Sequence, residues 1–284
     1  MKLCRFLNQN EIRVGLLNEG GTISDLSAAG VTRLTPLLER DDPAAHLRSL
    51  AAQKLTEVSL NEVQLLPPVE RQEVWAVGVT YLRSKKARMD ESEFSATAYD
   101  RVYDAARPEL FFKALAEKVV GPGDAVGIRN DARWSVPEPE LAIVLNSRGH
   151  IAGYTIGNDM SSRDIEGENL LYLPQAKIYN RSCALGPFVT VGVTEEEVRG
   201  WTIRLAIERA GQEAFRGEIS AGQLKRTFDE MAGYLFRSQN FLHGAVLLTG
   251  TGIVPPDQFT LQAGDRIRIT ISGVGTLENT VVVV

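Results

Sequence analysis

Two acidic residues, Glu138 and Glu140, begin an otherwise apolar run, Pro-Glu-Pro-Glu-Leu-Ala-Ile-Val-Leu. The run is typical of a buried strand, and side chains two positions apart on a strand project from the same face. Two carboxylates on an apolar face repel each other and lose hydration, so a cation has to offset their charge. On these residues alone, a metal ion and an ordinary salt bridge explain the pair equally well.

A third acid, Asp159, ends the next predicted strand, His-Ile-Ala-Gly-Tyr-Thr-Ile-Gly-Asn-Asp. A tight turn near residues 147–150 would place it beside the two glutamates. Three carboxylates without a neighbouring Cys or His suit Mg²⁺, Mn²⁺ or Ca²⁺ better than Zn²⁺. The sequence therefore predicts a divalent-metal site on Glu138, Glu140 and Asp159.

The elements that position these acids are mostly strands, because short runs of β-forming residues alternate with Gly, Asp or Pro. Residues 1–66 are predicted to form a small N-terminal α/β domain with one helix over residues 35–54, and a Pro pair follows as the linker. Residues 67–284 are predicted to form a β-rich α+β catalytic domain, in which Phe-Thr-Leu-Gln at 259–262 is one of the strands. Within this second domain, helical periodicity is found only at residues 162–171 and 221–236, and a charged segment over 84–106 is also compatible with a helix.

Composition excludes several classes of function. The chain has 284 residues, a net charge of −5 and no block of like charges, which argues against nucleic acid or an anionic membrane as a partner. No Walker A loop or Gly-x-Gly-x-x-Gly is found, so nucleotide cofactors are disfavoured. Only two Cys are present, and the polar N-terminus does not resemble a signal peptide. These features predict a cytoplasmic protein that binds a small molecule.

Several motifs occur in the order that is typical of one family. They are Pro-Glu-Pro-Glu-Leu at 137, Gly-Tyr-Thr-Ile-Gly-Asn-Asp-Met-Ser-Ser-Arg-Asp at 153, Leu-Gly-Pro-Phe at 185, Leu-Thr-Gly-Thr at 248 and Gly-Val-Gly-Thr-Leu-Glu-Asn at 273. In this the chain resembles the fumarylacetoacetate hydrolase superfamily. The resemblance implies a mixed β-roll domain, Mg²⁺ on the three acids, a 2-oxo acid substrate that chelates the metal, and a homodimer or homotetramer.

The same resemblance assigns roles to further residues. Lys177 matches the active-site lysine of the family and Thr251 matches the threonine of its Thr-Gly-Thr loop, where a substrate contact is expected. Arg163 and Asp164 are expected to form a structural ion pair. Glu166 is close enough in sequence to Asp159 to support the metal site, although an exposed position is the ordinary alternative.

One departure from the hydrolase pattern narrows the activity. Hydrolytic members carry Asn-Tyr-x-x-His, whose His helps to activate water, whereas this chain has Gly-Val-Thr-Tyr-Leu-Arg-Ser from Gly78, with Ser84 in place of that His. Together with the segments at 102–114 and 168–179, this pattern is similar to the 2-keto-3-deoxy-D-arabinonate dehydratase branch. That similarity implies loss of water from a 4,5-dihydroxy-2-oxo acid to give 2,5-dioxopentanoate.

A dehydration needs groups that move protons and groups that bind the substrate. Lys177 is the predicted base for the C3 proton, and Glu109 is predicted to protonate or orient the leaving C4 hydroxyl, unless it only caps a strand after Pro108. Lys113 is expected either to balance the acids or to hold the substrate carboxylate, with a solvent-facing lysine as the alternative. Arg83 and Ser84 are further candidates for substrate binding.

Two other functions remain open at this stage. One is a hydrolase or decarboxylase of acylpyruvate-type 2-oxo acids, which the same metal site would permit. The other is a non-catalytic, metal-bound scaffold. Retention of Lys177, Thr251 and all three acids favours an enzyme over the scaffold.

Overall fold

The computed structural model describes residues 1–82 and 101–284. The predictions for Arg83 and Ser84, and for the charged segment up to residue 100, lie outside this range. The strands are β1 Lys2–Asn8, β2 Glu11–Leu17, β3 Thr22–Asp25, β4 Thr56–Ser59, β5 Gln64–Leu66, β6 Glu73–Gly78, β7 Glu109–Ala114, β8 Ala125–Ile128, β9 Ser135–Val136, β10 Pro139–Leu145, β11 Ile151–Asp159, β12 Ser161–Ser162, β13 Cys183–Thr190, β14 Thr202–Arg209, β15 Gln212–Ser220, β16 Ala245–Leu248, β17 Arg266–Ile271 and β18 Gly275–Val283.

The helices whose bounds lie wholly within the described residues are short. The α-helices are α1 Thr35–Leu38, α2 Pro43–Ala51, α3 Arg163–Glu168, α4 Leu173–Lys177, α5 Glu195–Arg199 and α6 Phe228–Phe236. The 3-10 helices are Leu26–Ala29, Leu60–Glu62, Ala116–Lys118, Leu170–Tyr172 and Ala221–Gln223. None of the helices in the described part of the chain has the length and apolar character of a membrane span.

The strands form one large mixed sheet and two smaller sheets. The large sheet has eleven strands in the order β4-β3-β2-β1-β13-β11-β10-β16-β6-β7, with β5 paired to β1. A five-stranded sheet has the order β15-β14-β17-β18-β8, and β9 pairs with β12. Most pairs are antiparallel, but β16 with β6 and β18 with β8 are parallel. The predicted β-rich α+β architecture is therefore confirmed.

Strand β10 lies near the middle of the large sheet, and every residue in it is buried. Leu141 and Ile143 join an apolar cluster that contains residues of β14, β17 and α6. Ala142 and Val144 join a second cluster with residues of β1 and α2 on the other face. Because successive side chains alternate between faces, the strand packs against a layer on each side and is held rigidly.

The N-terminal strands continue the large sheet, since Lys2 and Leu3 of β1 pair with Thr190 and Val189 of β13. This pairing does not decide whether residues 1–66 form a separate domain, so the domain boundary at residue 66 stays a prediction. The single helix predicted over residues 35–54 is wrong, because the chain forms two helices there. Asp42 caps the second, its carboxylate accepting a 2.8 Å hydrogen bond from the Ala45 amide, and Pro43 fills the first helical turn.

One further expectation is wrong, and one helix was missed. The predicted strand at 259–262 is irregular, and its Leu261 amide donates instead to the Ser135 carbonyl. Helix α5 was not predicted, although Thr194 and Glu197 form a capping box in which each side chain accepts from the backbone amide of the other.

Replacing Asp42 tests this account of the split helix. We expect Asp42→Ala to lower the free energy of unfolding by about 1 kcal/mol, because the Ala45 amide loses its acceptor. Asp41→Ala is the matched control, since the contact found for Asp41 among the described residues is an exposed ion pair to Arg148, and its loss should change stability by less than about 0.5 kcal/mol. Urea denaturation followed by circular dichroism measures both, and equal effects would refute the capping role.

Candidate metal and catalytic site

Three buried carboxylates meet where β10 begins and β11 ends. Pro139 and Glu140 pair with Asn158 and Gly157 of β11, and the Asp159 amide donates a 3.0 Å hydrogen bond to the Glu138 carbonyl. One oxygen each of Glu138, Glu140 and Asp159 lies within 4.8 Å of the others, and all three side chains are buried. The turn that joins the two strands is closed by the Asn146 and Gly149 amides, as the sequence predicted.

Three buried cations surround two of these acids. Lys177 Nζ donates to Glu138 Oε2 at 2.7 Å, to Asp159 Oδ2 at 2.9 Å and to Ser161 Oγ at 2.6 Å. Arg163 donates to Glu138 Oε1 at 2.9 Å, and Lys113 Nζ lies 2.5 Å from Asp159 Oδ1. Lys113 also donates to the carbonyls of Met160 and Lys177. Each of these contacts compensates a charge that burial would otherwise penalise.

The expected pairing of Arg163 with Asp164 needs correction. The ion pair that the structure describes for Arg163 joins it to Glu138, while Asp164 accepts a 2.7 Å hydrogen bond from the Arg133 amide. Adjacent residues at the start of a helix point in different directions, so neighbours in sequence need not face each other.

Glu140 is the least compensated of the three acids. Its Oε2 accepts a hydrogen bond from the Gly250 amide, and no ion pair to it is found in the described part of the chain. Burial, followed by repulsion from Asp159 and Glu138, raises the pKa of Glu140 well above its ordinary value. A divalent cation bound by all three carboxylates would remove this penalty, so the donor set fits a hard metal ion.

The acids form part of the wall of a partly open cavity, whose empty space is about 340 Å³ when the adjoining open solvent is included. It is lined by Val77, Gly78, Val79, Glu109, Phe111, Glu138, Glu140, Asp159, Glu166, Lys177, Gly250 and Thr251. The cavity therefore brings together the three candidate metal ligands, the candidate base Lys177, and two further acids, Glu109 and Glu166.

The other predicted residues are placed as follows. Thr251 lines the cavity, and its hydroxyl exchanges hydrogen bonds with the backbone of Ile253. Glu166 is buried, so its exposed alternative is wrong. Lys113 is also buried, so its solvent-facing alternative is wrong, and it lies behind Asp159 rather than among the cavity-lining residues.

Sequence reasoning missed several contributors to this site. Gly250 and Val79 line the cavity, and Ser161 holds Lys177. Phe111 lines the cavity, with its ring centroid 5.7 Å from Lys177 Nζ. Gly250 lies inside the Thr-Gly-Thr motif and Ser161 is two residues after Asp159, so both had a signal in the sequence.

Lys113 provides a test of the buried charge cluster. We expect Lys113→Met to lower the free energy of unfolding of the metal-free protein by about 3–5 kcal/mol, because Asp159 loses a buried counter-charge. Lys118→Met serves as the control, since Lys118 is exposed on the 3-10 helix that follows β7. Chemical denaturation checks both variants, and a stable Lys113→Met protein would show that Asp159 does not need this partner.

Comparison with known proteins identifies close relatives. A probable 2-keto-3-deoxyxylonate dehydratase of Haloferax volcanii is 49% identical over 217 residues, 76% of this chain and 74% of the relative. A 2-dehydro-3-deoxy-D-arabinonate dehydratase of Saccharolobus solfataricus is 42% identical over 229 residues, 78% and 76% of the two chains.

A solved structure extends the similarity to the whole fold. It is a 2-keto-3-deoxy-D-arabinonate dehydratase complexed with magnesium and 2,5-dioxopentanoate, 33% identical, with a TM-score of 0.83 over 100% of this chain and 99% of that one. The family model for the C-terminal region of fumarylacetoacetate (FAA) hydrolase matches residues 73–282, which confirms the resemblance found in the motifs. This chain therefore belongs to the fumarylacetoacetate hydrolase family.

Proposed function

We propose that this chain is a Mg²⁺-dependent hydro-lyase that converts 2-keto-3-deoxy-D-arabinonate, or a closely similar acid, to 2,5-dioxopentanoate. The observation that carries the proposal is the convergence of three buried carboxylates with Lys177 and Glu109 in one small cavity. The activities and ligands of the similar dehydratases support it.

The two substrate names among the relatives describe one carbon skeleton, a 4,5-dihydroxy-2-oxopentanoate. Arabinonate and xylonate differ only at C2 and C3, and these carbons become an oxo group and a methylene group in the 2-keto-3-deoxy acids. If C4 has the same configuration, the two 2-keto-3-deoxy acids are therefore the same compound, and a site that accepts one accepts the other.

Glu138, Glu140 and Asp159 are the residues that would hold the metal, with Mn²⁺ or Ca²⁺ as alternatives to Mg²⁺. When bound, the metal would act as a Lewis acid on the 2-oxo group of the substrate and increase the acidity of the C3 protons. Gly250 contributes by fixing Glu140 through its backbone amide. Arg163 contributes by fixing Glu138, and Lys113 and Lys177 fix Asp159, so the protein itself orients all three carboxylates.

Proton removal from C3 is assigned to Lys177. Its side chain is buried, and its Nζ is held on the cavity wall by three hydrogen-bond acceptors. Proton transfer by a positioned group requires such fixed geometry, and Lys177 would act as the base in its neutral amine form, after its ammonium group has released one proton to solvent. Its side chain is only 1% exposed, so Lys177 is not an ordinary solvated lysine.

Departure of the C4 hydroxyl is assigned to Glu109, a cavity acid outside the metal-binding trio. Proton donation from Glu109 releases water and leaves a double bond between C3 and C4. Formation of the aldehyde then requires loss of a proton from C5 and return of one to C3. The Glu109 carboxylate can take the first and the Lys177 ammonium can return the second, which restores both groups and leaves a C5 enol that becomes the aldehyde.

The remaining candidates have smaller roles in this proposal. Lys113 forms an ion pair with Asp159 and balances its charge. It is not assigned to the substrate carboxylate, because it is not among the cavity-lining residues. Thr251 is assigned to substrate contact on the cavity wall. Substrate binding by Arg83 and Ser84, the homodimeric or homotetrameric assembly and the cytoplasmic location stay predictions.

Metal dependence is the first test of the function. Metal-stripped protein incubated with 2-keto-3-deoxy-D-arabinonate is expected to form 2,5-dioxopentanoate only after Mg²⁺ is added, as followed through a coupled aldehyde dehydrogenase. Calorimetry of Mg²⁺ binding is the control for metal loading. Bound Mg²⁺ without product would contradict the dehydratase, and acylpyruvates would then test the hydrolase or decarboxylase alternative.

Lys177 is the second test. We expect Lys177→Met to lower kcat by ~10²–10⁴-fold, the range typical of a lost general base. Lys118→Met again provides the matched control, because it removes an exposed lysine outside the cavity. Steady-state kinetics at saturating Mg²⁺ compare the two variants, and near-normal turnover of Lys177→Met would exclude it as the base.

A further inference from the structure

Gly78 lines the cavity and has no side chain. We infer that Gly78 is a positioning residue whose missing side chain makes room for the carboxylate of Glu109 on the cavity wall. The inference rests on the proposed function, because it concerns the residue assigned to the leaving hydroxyl.

The first evidence is the register of two strands. Gly78 ends β6, Glu109 begins β7, and the two residues are direct partners across the antiparallel pair. Partners of this kind direct their side chains to the same face of the sheet. The Glu109 side chain therefore lies over the position where a side chain of residue 78 would project.

The second evidence is the space that an added Cβ would need. A Cβ built on Gly78 would lie 1.9 Å from Glu109 Oε2, 2.7 Å from Cδ and 3.4 Å from Cγ. These are its three nearest atoms, so the volume is taken by one side chain and not by backbone. Real Cβ atoms do not approach other heavy atoms so closely, so the Glu109 carboxylate would have to move.

Backbone geometry does not explain the glycine. Gly78 is absent from the glycines with positive φ, so alanine is compatible with its conformation. Gly250 differs in this respect, since its φ of +90° and its contact with Thr80 disfavour any side chain. At position 78, the requirement for glycine therefore comes from Glu109.

The backbone that follows Gly78 is constrained, so it cannot easily move to make room for a side chain. The next residue, Val79, has a φ of +54°, a strained conformation for a β-branched residue. Thr80 supports this turn, since its hydroxyl donates to the Thr249 carbonyl at 2.6 Å and its carbonyl accepts from the Lys225 amide at 3.0 Å. An added methyl group would accordingly displace the carboxylate rather than the strand.

The test begins with Gly78→Ala. We expect kcat to fall by ~10–100-fold, the scale of a small misplacement of a reacting group, while KM and the calorimetric Mg²⁺ affinity change by less than about threefold. Gly233→Ala in α6 is the matched control, since a Cβ there meets no atom within 4 Å, and its kcat should be unchanged. Equal kcat for Gly78→Ala and the wild-type protein would overturn the inference.

A double-mutant cycle separates this inference from the proposed function. If Gly78 acts through Glu109, Gly78→Ala should have no further effect on kcat in a Glu109→Ala protein. A further loss in that background, with Glu109→Ala itself impaired, would overturn the inference alone. Full activity of Glu109→Ala would refute the catalytic role of Glu109 in the proposed function, and the inference with it.

Discussion

The burial of three carboxylates within 4.8 Å of one another is the constraint on which the rest of this structure depends. An isolated ionised carboxylate is strongly disfavoured in an apolar interior, and three together are more so. The chain meets this constraint with Lys113, Arg163 and Lys177, which come from a strand and from two short helices. The short helices after β11 therefore serve chiefly to bring cations to the end of that strand.

The same constraint explains why the site is built on central strands. Residues of β10 are buried on both faces and packed by two apolar clusters, so the acids at its start have little freedom to move. Strands β6 and β7 add Gly78, Glu109 and Phe111 on one wall, and the loop after β16 adds Gly250 and Thr251 on another. The site thus combines rigid strand positions for the acids with loop positions for the remaining contacts.

The sequence allowed the strands and the acidic trio to be predicted because both depend on local periodicity. Alternation places Glu138 and Glu140 on one face, and a tight turn brings Asp159 to them. The partner of Arg163 and the position of Lys113 behind Asp159 depend on tertiary packing, which has no local signature. The single helix over residues 35–54 was wrong because the Asp-Asp-Pro sequence at 41–43 was not recognised as a new helix start. The role of Gly78 depends on a contact between two strands separated by thirty residues of chain, and that of Phe111 depends on its approach to Lys177 in α4.

The three buried cations affect the order in which the protein can fold and bind its metal ion. Because Glu138 and Asp159 already have internal counter-ions, much of their charge is balanced by the polypeptide alone. Folding can therefore precede metal loading, in contrast to small zinc domains, in which metal binding and folding are one event. The chain can fold first and bind its ion afterwards, so the supply of metal would regulate turnover without lowering the stability of the fold.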